Sequence, residues 1–443
     1  MAVYLGENEV GFNTTYGGIV PSGTSTITEN GIYDVTNFAS ASVNVVDPFK
    51  EIAVDLIYYN SVYAEGSYRT SGPPNYWKHP YSYTSEDVSN WCDTFEHIND
   101  RVFAGKNFYG SFIFNNVTYI DQQAFAIPAY NITQGGGSAY YYFPSCSWIG
   151  AGAFGGNRGI IHADFPICTE IHNSAFCNCF SLTSVSFPIC SSIAYSAFVS
   201  CVDLTSVYFP ECSGIGSNAF LSCDSLTSVD FPKCKSIAAS AFYNCSALTS
   251  VSFPLCEFIG SYAFKSCSSL TEVNFPSCIT ISTAAFSTCS ALSTISFPNV
   301  TSIGGSAFAY CSALTTASFP NATSIGGSAF ISCRKLTTAN FPNAISISNY
   351  AFAYCFSLTT ASFPSASYIS PSAFFNCYNL LSLYLLGSSV PTLGASAFRN
   401  TPIDGYTIST GGVYGSIFVP SSLYDQYIVA VGWSLYSERF VSV

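Results

Sequence analysis

Charged side chains are scarce in this chain. Only 9% of its 443 residues are Asp, Glu, Lys or Arg, where ordinary domains carry about 25%. Cations are the rarer sign, 13 Lys and Arg against 25 Asp and Glu, for a net charge of −12. That balance argues against a basic nucleic-acid footprint. No run of about 18 apolar residues occurs, so membrane insertion is not expected. The opening MAVYLGENEV has Glu7 and Glu9 where a secretory signal needs a basic stretch and then an apolar one. It does not read as a signal peptide. Histidine is rare too, at 4 residues, and methionine occurs once. With so few His and acids, paired acid/base groups are hard to assemble. No nucleophile elbow, phosphate loop or dinucleotide fingerprint is present either. No enzyme and no cofactor are expected.

What the chain has in excess is Phe (38), Tyr (31) and Cys (19), and these fall in a repeat. Phe-Pro recurs with Phe at 143, 165, 187 and onward to 363, always 22 residues apart. Ala-Phe recurs at the same step, with Phe from 154 to 374. One unit, Leu182 to Cys201, reads LTSVSFPICSSIAYSAFVSC. Leu182, Val185 and Phe187 fit a short strand pointing those side chains inward, and Pro188 ends it. Ile193, Ala197, Phe198 and Cys201 have the spacing of a short helical face. One coil is thus expected to be strand, turn, short helix, turn.

These repeats resemble the BspA-like class of leucine-rich repeats, whose hallmark is AFxxC followed by LxxLxL and a Pro. The resemblance covers about Ile98 to Phe398. It implies an α/β leucine-rich-repeat solenoid, with a parallel strand ladder on one face and short helical turns on the other, stacked around one core. Residues 48–97, with Trp77 and Trp91, read as an N-terminal cap, 98–398 as the solenoid and 399–443 as a C-terminal cap. In the last segment VPxxL, Tyr427 and Gly432-Trp433 resemble the tail that commonly ends such arrays.

All cysteines but Cys92 and Cys177 fall in two columns, one after Phe-Pro and one after Ala-Phe. Later coils replace the first column by Val300, Ala322, Ala344 and Ala366, which indicates packing rather than bridging or ligation. Buried free thiols are therefore expected, with folding in a reducing compartment. Two groups carry metal-ligand types: His162, Cys168, His172, Cys177 and Cys179, and Cys92, Asp93, Glu96, His97 and Asp100. Register spreads the first group over different faces, and the second reads as a solvated cap helix. No metal is expected.

A repeat array presents an extended surface, so binding is the expected function. The residue after each repeat Leu makes a hydroxyl column: Thr183, Thr205, Thr227, Thr249, Thr271, Ser293, Thr315, Thr337 and Thr359. Its neighbours include Tyr208, Asp230, Glu272, Asn274, Asn340 and Tyr384, and these with the Thr column form the expected binding face. Strand propensity alone would also account for the Thr column. A flat Thr array could bind ice, but bulky and charged residues such as Tyr208 and Glu272 interrupt it. On the other side Tyr195, Tyr243, Tyr262, Tyr310, Tyr350, Tyr354 and Tyr378 offer rings with a polar tip, suited to sugar or protein recognition or to edge packing.

Residues 1–47 form a separate small β unit. Asn30-Gly31 is a hairpin signal between T-I-T and I-Y-D-V, and Ala41, Val43 and Val45 alternate in a further strand. The stretch Thr24 to Val46 resembles modules of bacteriophage tail and other structural proteins. That resemblance implies a chain folded in the host cytoplasm and carried on a virion, its N-terminal unit docked to other virion structural proteins and its solenoid facing a host cell-surface glycan or protein. A bacterial surface adhesin, or a virion decoration without a receptor, are the alternatives. An oligomer is compatible with either, although no coiled-coil segment demands one.

Overall fold

The computed structural model describes residues 96–443 apart from 102, 106 and 128–137, together with the backbone of five short strands before residue 96. The chain divides into two compact units, Met1–Phe187 and Pro188–Val443. No helix among the described residues is long and apolar enough to cross a membrane.

In the first unit Ala2–Leu5 pairs antiparallel with Asn8–Glu9, Thr26–Ile27 and Val43–Val46. The expected third strand thus exists, but its partner is the first strand of the chain. The Asn30-Gly31 turn and Ile32 to Val35 lie outside the described residues, as do Trp77, Trp91, Cys92 and Asp93. Beyond them a parallel ladder runs through Ser82–Thr84, Asn107–Ile113, Ser138–Tyr142, Ile160–Asp164 and Ser184–Ser186. We call this the front ladder. A second ladder of two-residue strands stacks His97–Ile98, Tyr119–Ile120, Trp148–Ile149 and Glu170–Ile171. The ladders begin inside the stretch read as an N-terminal cap.

The second unit repeats the plan. Its second ladder stacks nine strands at steps of 22, from Ser192–Ile193 to Tyr368–Ile369, and closes on a tenth, Thr392–Leu393. The parallel β-solenoid is therefore as the repeats implied, but the helical face is not. In each coil the residues two before and two after the Ala-Phe Phe adopt left-handed backbone, as at Ser196 (φ 55°) and Ser200 (φ 57°). A right-handed helix cannot pass through such residues. The amides of Ser196, Phe198 and Ser200 instead donate to Ser217, Ala219 and Leu221 of the next coil. Hydrogen bonds run between coils rather than along the chain, so the apolar spacing reports a coil corner rather than a helix.

The core follows from the columns. Leu, Phe, Ile, Ala-Phe and Cys positions are buried coil after coil. In the second unit the Ala-Phe rings stack nearly parallel at 5.2 to 5.4 Å. The Phe-Pro rings are less even, with centroid spacings of 5.3, 5.9, 5.4, 6.0, 5.4 and 5.9 Å from Phe209 to Phe341. The front ladder shows the same alternation. Ser206–Tyr208 pairs Ser228–Asp230, Ser250–Ser252 pairs Glu272–Asn274, and Thr294–Ser296 pairs Thr316–Ser318, each as a separate two-stranded sheet. From Thr338–Asn340 onward the ladder is continuous to the end.

One corner position coincides with part of this doubling. A Cβ on Gly260 or Gly304 would lie 2.6 or 2.5 Å from a backbone carbon of the preceding coil, at Ala238 or Ser282. Without a side chain these corners press onto the coil before them. The ladder opens at the coils that carry these glycines, between Asp230 and Ser252 and between Asn274 and Ser296, and also between Ser318 and Thr338, where the corner is Ser348. Gly326 makes the same approach to Gly304 inside a closed pair, so the glycine is one contributor among several.

The C-terminal segment continues the front ladder. Ser416–Val419 pairs with Ser382–Tyr384, and Phe440–Ser442 pairs with Ser416–Val419, all parallel. Between them the six-residue helix Tyr424–Val429 folds Trp433 and Tyr427 over the last coil. Trp433 is fully buried, and its indole N–H donates to the Pro391 carbonyl at 2.6 Å. This encloses Phe398, whose ring lies 6.0 Å from that of Trp433.

Candidate ligand-binding face

Alternation along the front strands sets what reaches solvent. In Ser206–Tyr208 and Glu272–Asn274 the outer residues are exposed and the middle Val is buried, as the strand period requires. Tyr208, Asp230, Glu272, Asn274 and Asn340 all lie on this exposed face. Tyr208 is 59% exposed. Asn274 donates from Nδ2 to the Ser252 hydroxyl at 3.0 Å, across the rungs of one closed strand pair. Tyr384 is half-buried, stacked on Phe418 at 4.5 Å. An open groove of 430 Å³ is lined by Glu272, Thr294, Ser296, Thr316, Ser318 and Thr338, among others. No Lys or Arg enters that lining.

The Thr column sits one residue before these strands, and its hydroxyls have structural work. Thr227, Thr271, Thr315 and Thr359 each donate from Oγ1 to the carbonyl of the same position one coil earlier, at 3.0 to 3.2 Å. Thr337 does so at 3.4 Å, and in the first unit Thr183 donates to the Ile161 carbonyl at 3.0 Å. The amides beside them alternate: Thr227 and Thr271 reach Thr205 and Thr249 at 2.9 Å, whereas Thr249 reaches Thr227 at 3.5 Å. The column therefore ties coil to coil, and each bonded hydroxyl offers a ligand its lone pairs only.

The expected tyrosines on the opposite side divide. Tyr195 and Tyr310 are more than half exposed, Tyr262 and Tyr350 somewhat less. Tyr243 is half-buried, with the Lys265 ammonium 5.6 Å from its ring and 5.3 Å from that of Tyr262. Tyr378 stacks on Phe356 at 5.2 Å, with the Arg334 guanidinium 5.6 Å from the Phe356 ring. Several of these rings therefore pack along the coil edges rather than stand free.

Sequence reasoning missed an aromatic cluster on the front face of the first unit. Tyr109, Tyr140 and Tyr142 are 39–49% exposed, beside Ile113. In register, Ser111, Tyr140 and His162 lie across neighbouring strands, as do Ile113, Tyr142 and Asp164. The signal was the run Tyr140-Tyr141-Tyr142, in which alternation buries the middle ring and exposes the outer two. It fell where the repeat is degenerate, so the column reading passed over it.

Among the described residues, those with metal-ligand chemistry do not gather. His162 shares a 2.8 Å hydrogen bond between Nδ1 and the Ser184 hydroxyl. Cys168 donates to the Glu170 carbonyl, and the His172 ring packs 3.8 Å from that of Trp148. His97 lies on the second ladder beside Tyr119. Among the described residues no three His, Cys, Asp or Glu side chains cluster as a metal site.

A family description, the BspA type leucine-rich repeat region, matches residues 141–224, 235–348 and 301–418 in six copies, more than half of the chain. The chain belongs to the BspA-type leucine-rich repeat family. Among solved structures, a leucine-rich repeat protein from Bacteroides ovatus is similar over 69% of this chain and 84% of its own, at 24% identity with a TM-score of 0.52. A leucine-rich cell surface protein from Faecalibacterium prausnitzii matches 67% of this chain and 84% of its own at 24% identity, with a TM-score of 0.37. The pneumococcal vaccine antigen PcpA matches 75% of this chain and 92% of its own at 15% identity, with a TM-score of 0.41. No curated protein matches the sequence.

In this BspA-type array the cysteines belong to the core. Of the eighteen described, all are free and only Cys177 is not buried. Thiols of the Ala-Phe column donate across coils, as Cys223 does to the Phe198 carbonyl at 3.2 Å and Cys311 to Phe286 at 3.1 Å. Thiols of the Phe-Pro column donate to the carbonyl two residues on, as from Cys190 to Ser192. Burial pushes Cys267 and Cys311 up to about 12, and Cys212 to about 11. They are held as thiols, which are poor nucleophiles and poor metal ligands.

Proposed function

We propose that this BspA-type protein is a host-surface-binding adhesin carried on a bacteriophage virion, with the front ladder as its contact face. The observation that carries the reading is the outward residues of that ladder. They expose hydroxyls, amides, tyrosines and few charges over successive strands, while the Leu, Phe-Pro and Ala-Phe columns beneath them stay buried. A stack of rigid coils presents such groups at low entropic cost. Residues 1–47 are the attachment unit in this reading, on their resemblance to tail-protein modules, and would meet other virion structural proteins. Residues 48–97, 98–398 and 399–443 are the cap, the solenoid and the closing cap. The protein is non-enzymatic and needs no cofactor in this reading, which is supported by the burial of all described cysteines but Cys177 and by the dispersal of the described histidines.

Two measurements test it. Gold-labelled antibody against residues 188–443 is expected to decorate purified virions at the tail, and undecorated virions would reject the phage assignment. The full chain, fluorescently labelled, is expected to bind host cells in a saturable way. Virion decoration without cell binding would leave a structural decoration protein. Cell binding by a protein absent from virions would instead favour a bacterial surface adhesin of the same family.

A further inference from the structure

We propose that Tyr109, Tyr140 and Tyr142 on the front face of the first unit form the docking platform for an uncharged saccharide. This deepens the adhesin reading by naming a ligand class and a site.

The platform departs from the repeat. At the register of Tyr140 and Tyr142 the strand two coils later carries Ser184 and Ser186, so nothing in the coil's packing calls for large rings there. Their undersides differ as well. Where later coils place one aliphatic residue (Val, Ile, Ala or Leu) between the outward residues, this part of the sheet buries Phe108, Phe112 and Tyr141, packed edge-on or stacked at 5.1 to 5.8 Å. The exposed rings thus stand on a rigid aromatic floor and lose little freedom on binding. A pyranose presents an apolar C–H face and a rim of hydroxyls. The tyrosine rings suit the first, and the Asp164 carboxylate, the Ser111 hydroxyl and the His162 ring fixed by Ser184 lie in register to meet the second.

Area and charge select the occupant. Three half-exposed tyrosines and Ile113 offer on the order of 300–400 Å², well short of the roughly 800 Å² per partner that a stable protein interface needs. A short oligosaccharide needs no more. The strands Asn107–Ile113, Ser138–Tyr142, Ile160–Asp164 and Ser184–Ser186 contain no Lys or Arg, and they place one carboxylate beside the rings. An anionic glycan would meet that carboxylate with no Lys or Arg on these strands to offset it.

The test is affinity electrophoresis and titration calorimetry of the full chain against neutral oligosaccharides of glucose, galactose, mannose and N-acetylglucosamine, with oligogalacturonate as the anionic control. At least one neutral oligomer is expected to bind and oligogalacturonate not to. Tyr140→Ser with Tyr142→Ser, the residues that later strands carry at these positions, is expected to weaken binding at least tenfold without shifting the melting temperature. Tyr140→Phe should retain most of it. Failure of every neutral oligomer to bind, equal binding of oligogalacturonate, or full binding by the double variant would overturn the proposal. If the chain still binds host cells while no neutral oligomer binds, the saccharide platform falls and the adhesin reading stands. Saccharide binding without cell binding gives the reverse.

Discussion

Two left-handed residues in each coil do what a helix was expected to do. They turn the corner and aim backbone amides at the next coil. Most are Ser, Asn or Tyr rather than Gly, so each carries the steric penalty of an L side chain in that region, about 1–2 kcal/mol. Ser306 (φ 56°) is one such site. Ser306→Gly is expected to raise stability by about 0.5 kcal/mol, the relief being partly offset by glycine's larger unfolded-state entropy, and Ser306→Val to lower it by more than that. Urea unfolding of the two variants reads both signs. The thiols give a second prediction at this scale. A thiol whose folded value lies near 12 favours folding fully below its ordinary value of about 8.5, and that contribution falls as pH rises through the interval because the unfolded chain ionises first. With two columns acting together, the urea midpoint should drop steeply between about pH 9 and 11. A midpoint flat across that range would contradict the buried-thiol assignment. Aromatic disulfide reagents should modify at most Cys92 and Cys177 in the native state and all 19 after denaturation.

At the scale of the coil, the glycine corners contribute to how closely neighbours approach. Gly260→Val places a branched side chain against the Ala238 backbone, where even a Cβ would sit at 2.6 Å. A loss of about 2–3 kcal/mol is expected, the range of severe overpacking. The same corner separates two deletions. Removing residues 249–292 joins the coil of Ala238 to the coil of Gly304, repeating the native pairing of a small corner with a glycine. Removing residues 249–270 instead sets Ser282 on Ala238, with no glycine to admit the approach. The shorter deletion should therefore cost more stability than the longer one, by melting temperature, despite removing half as many coils. The reverse order would show that the corner glycine does not control coil spacing.

At the scale of the molecule, scarcity of charge leaves little for salt to screen. Lys233 and Glu211 pair at 2.6 Å between adjacent coils, but both are exposed, and such pairs contribute about 0–1 kcal/mol. Raising the NaCl concentration from 0.05 to about 0.5 M should leave the unfolding free energy within about 1 kcal/mol of its starting value. The Phe columns carry the stability instead. Phe308→Ala opens a cavity between two rings that each stack on it at 5.3 or 5.4 Å and should cost about 3–5 kcal/mol, with neighbouring coils losing hydrogen-exchange protection first, as expected of a one-dimensional array.

The sequence alone determined the repeat, its register, the buried columns of Phe, Leu and Cys, and the strand that faces outward, because each column must bury the same side chain at the same step. It also marked a strand through Ala41, Val43 and Val45, where the structure has Val43–Val46, and Trp433 as part of the closing cap. Tertiary structure decided the rest. Short apolar spacing cannot distinguish one helical turn from a coil corner, and here hydrogen bonds between coils fix left-handed residues, most of them Ser, Tyr and others whose own propensity disfavours that region. The jobs of the Thr hydroxyls, the doubling of the front ladder and the exposure of Tyr109, Tyr140 and Tyr142 depend on which coil lies above which. That neighbour is 20 to 30 residues away along the chain, and only the stacked fold brings it within the few ångströms over which hydrogen bonds and ring contacts act.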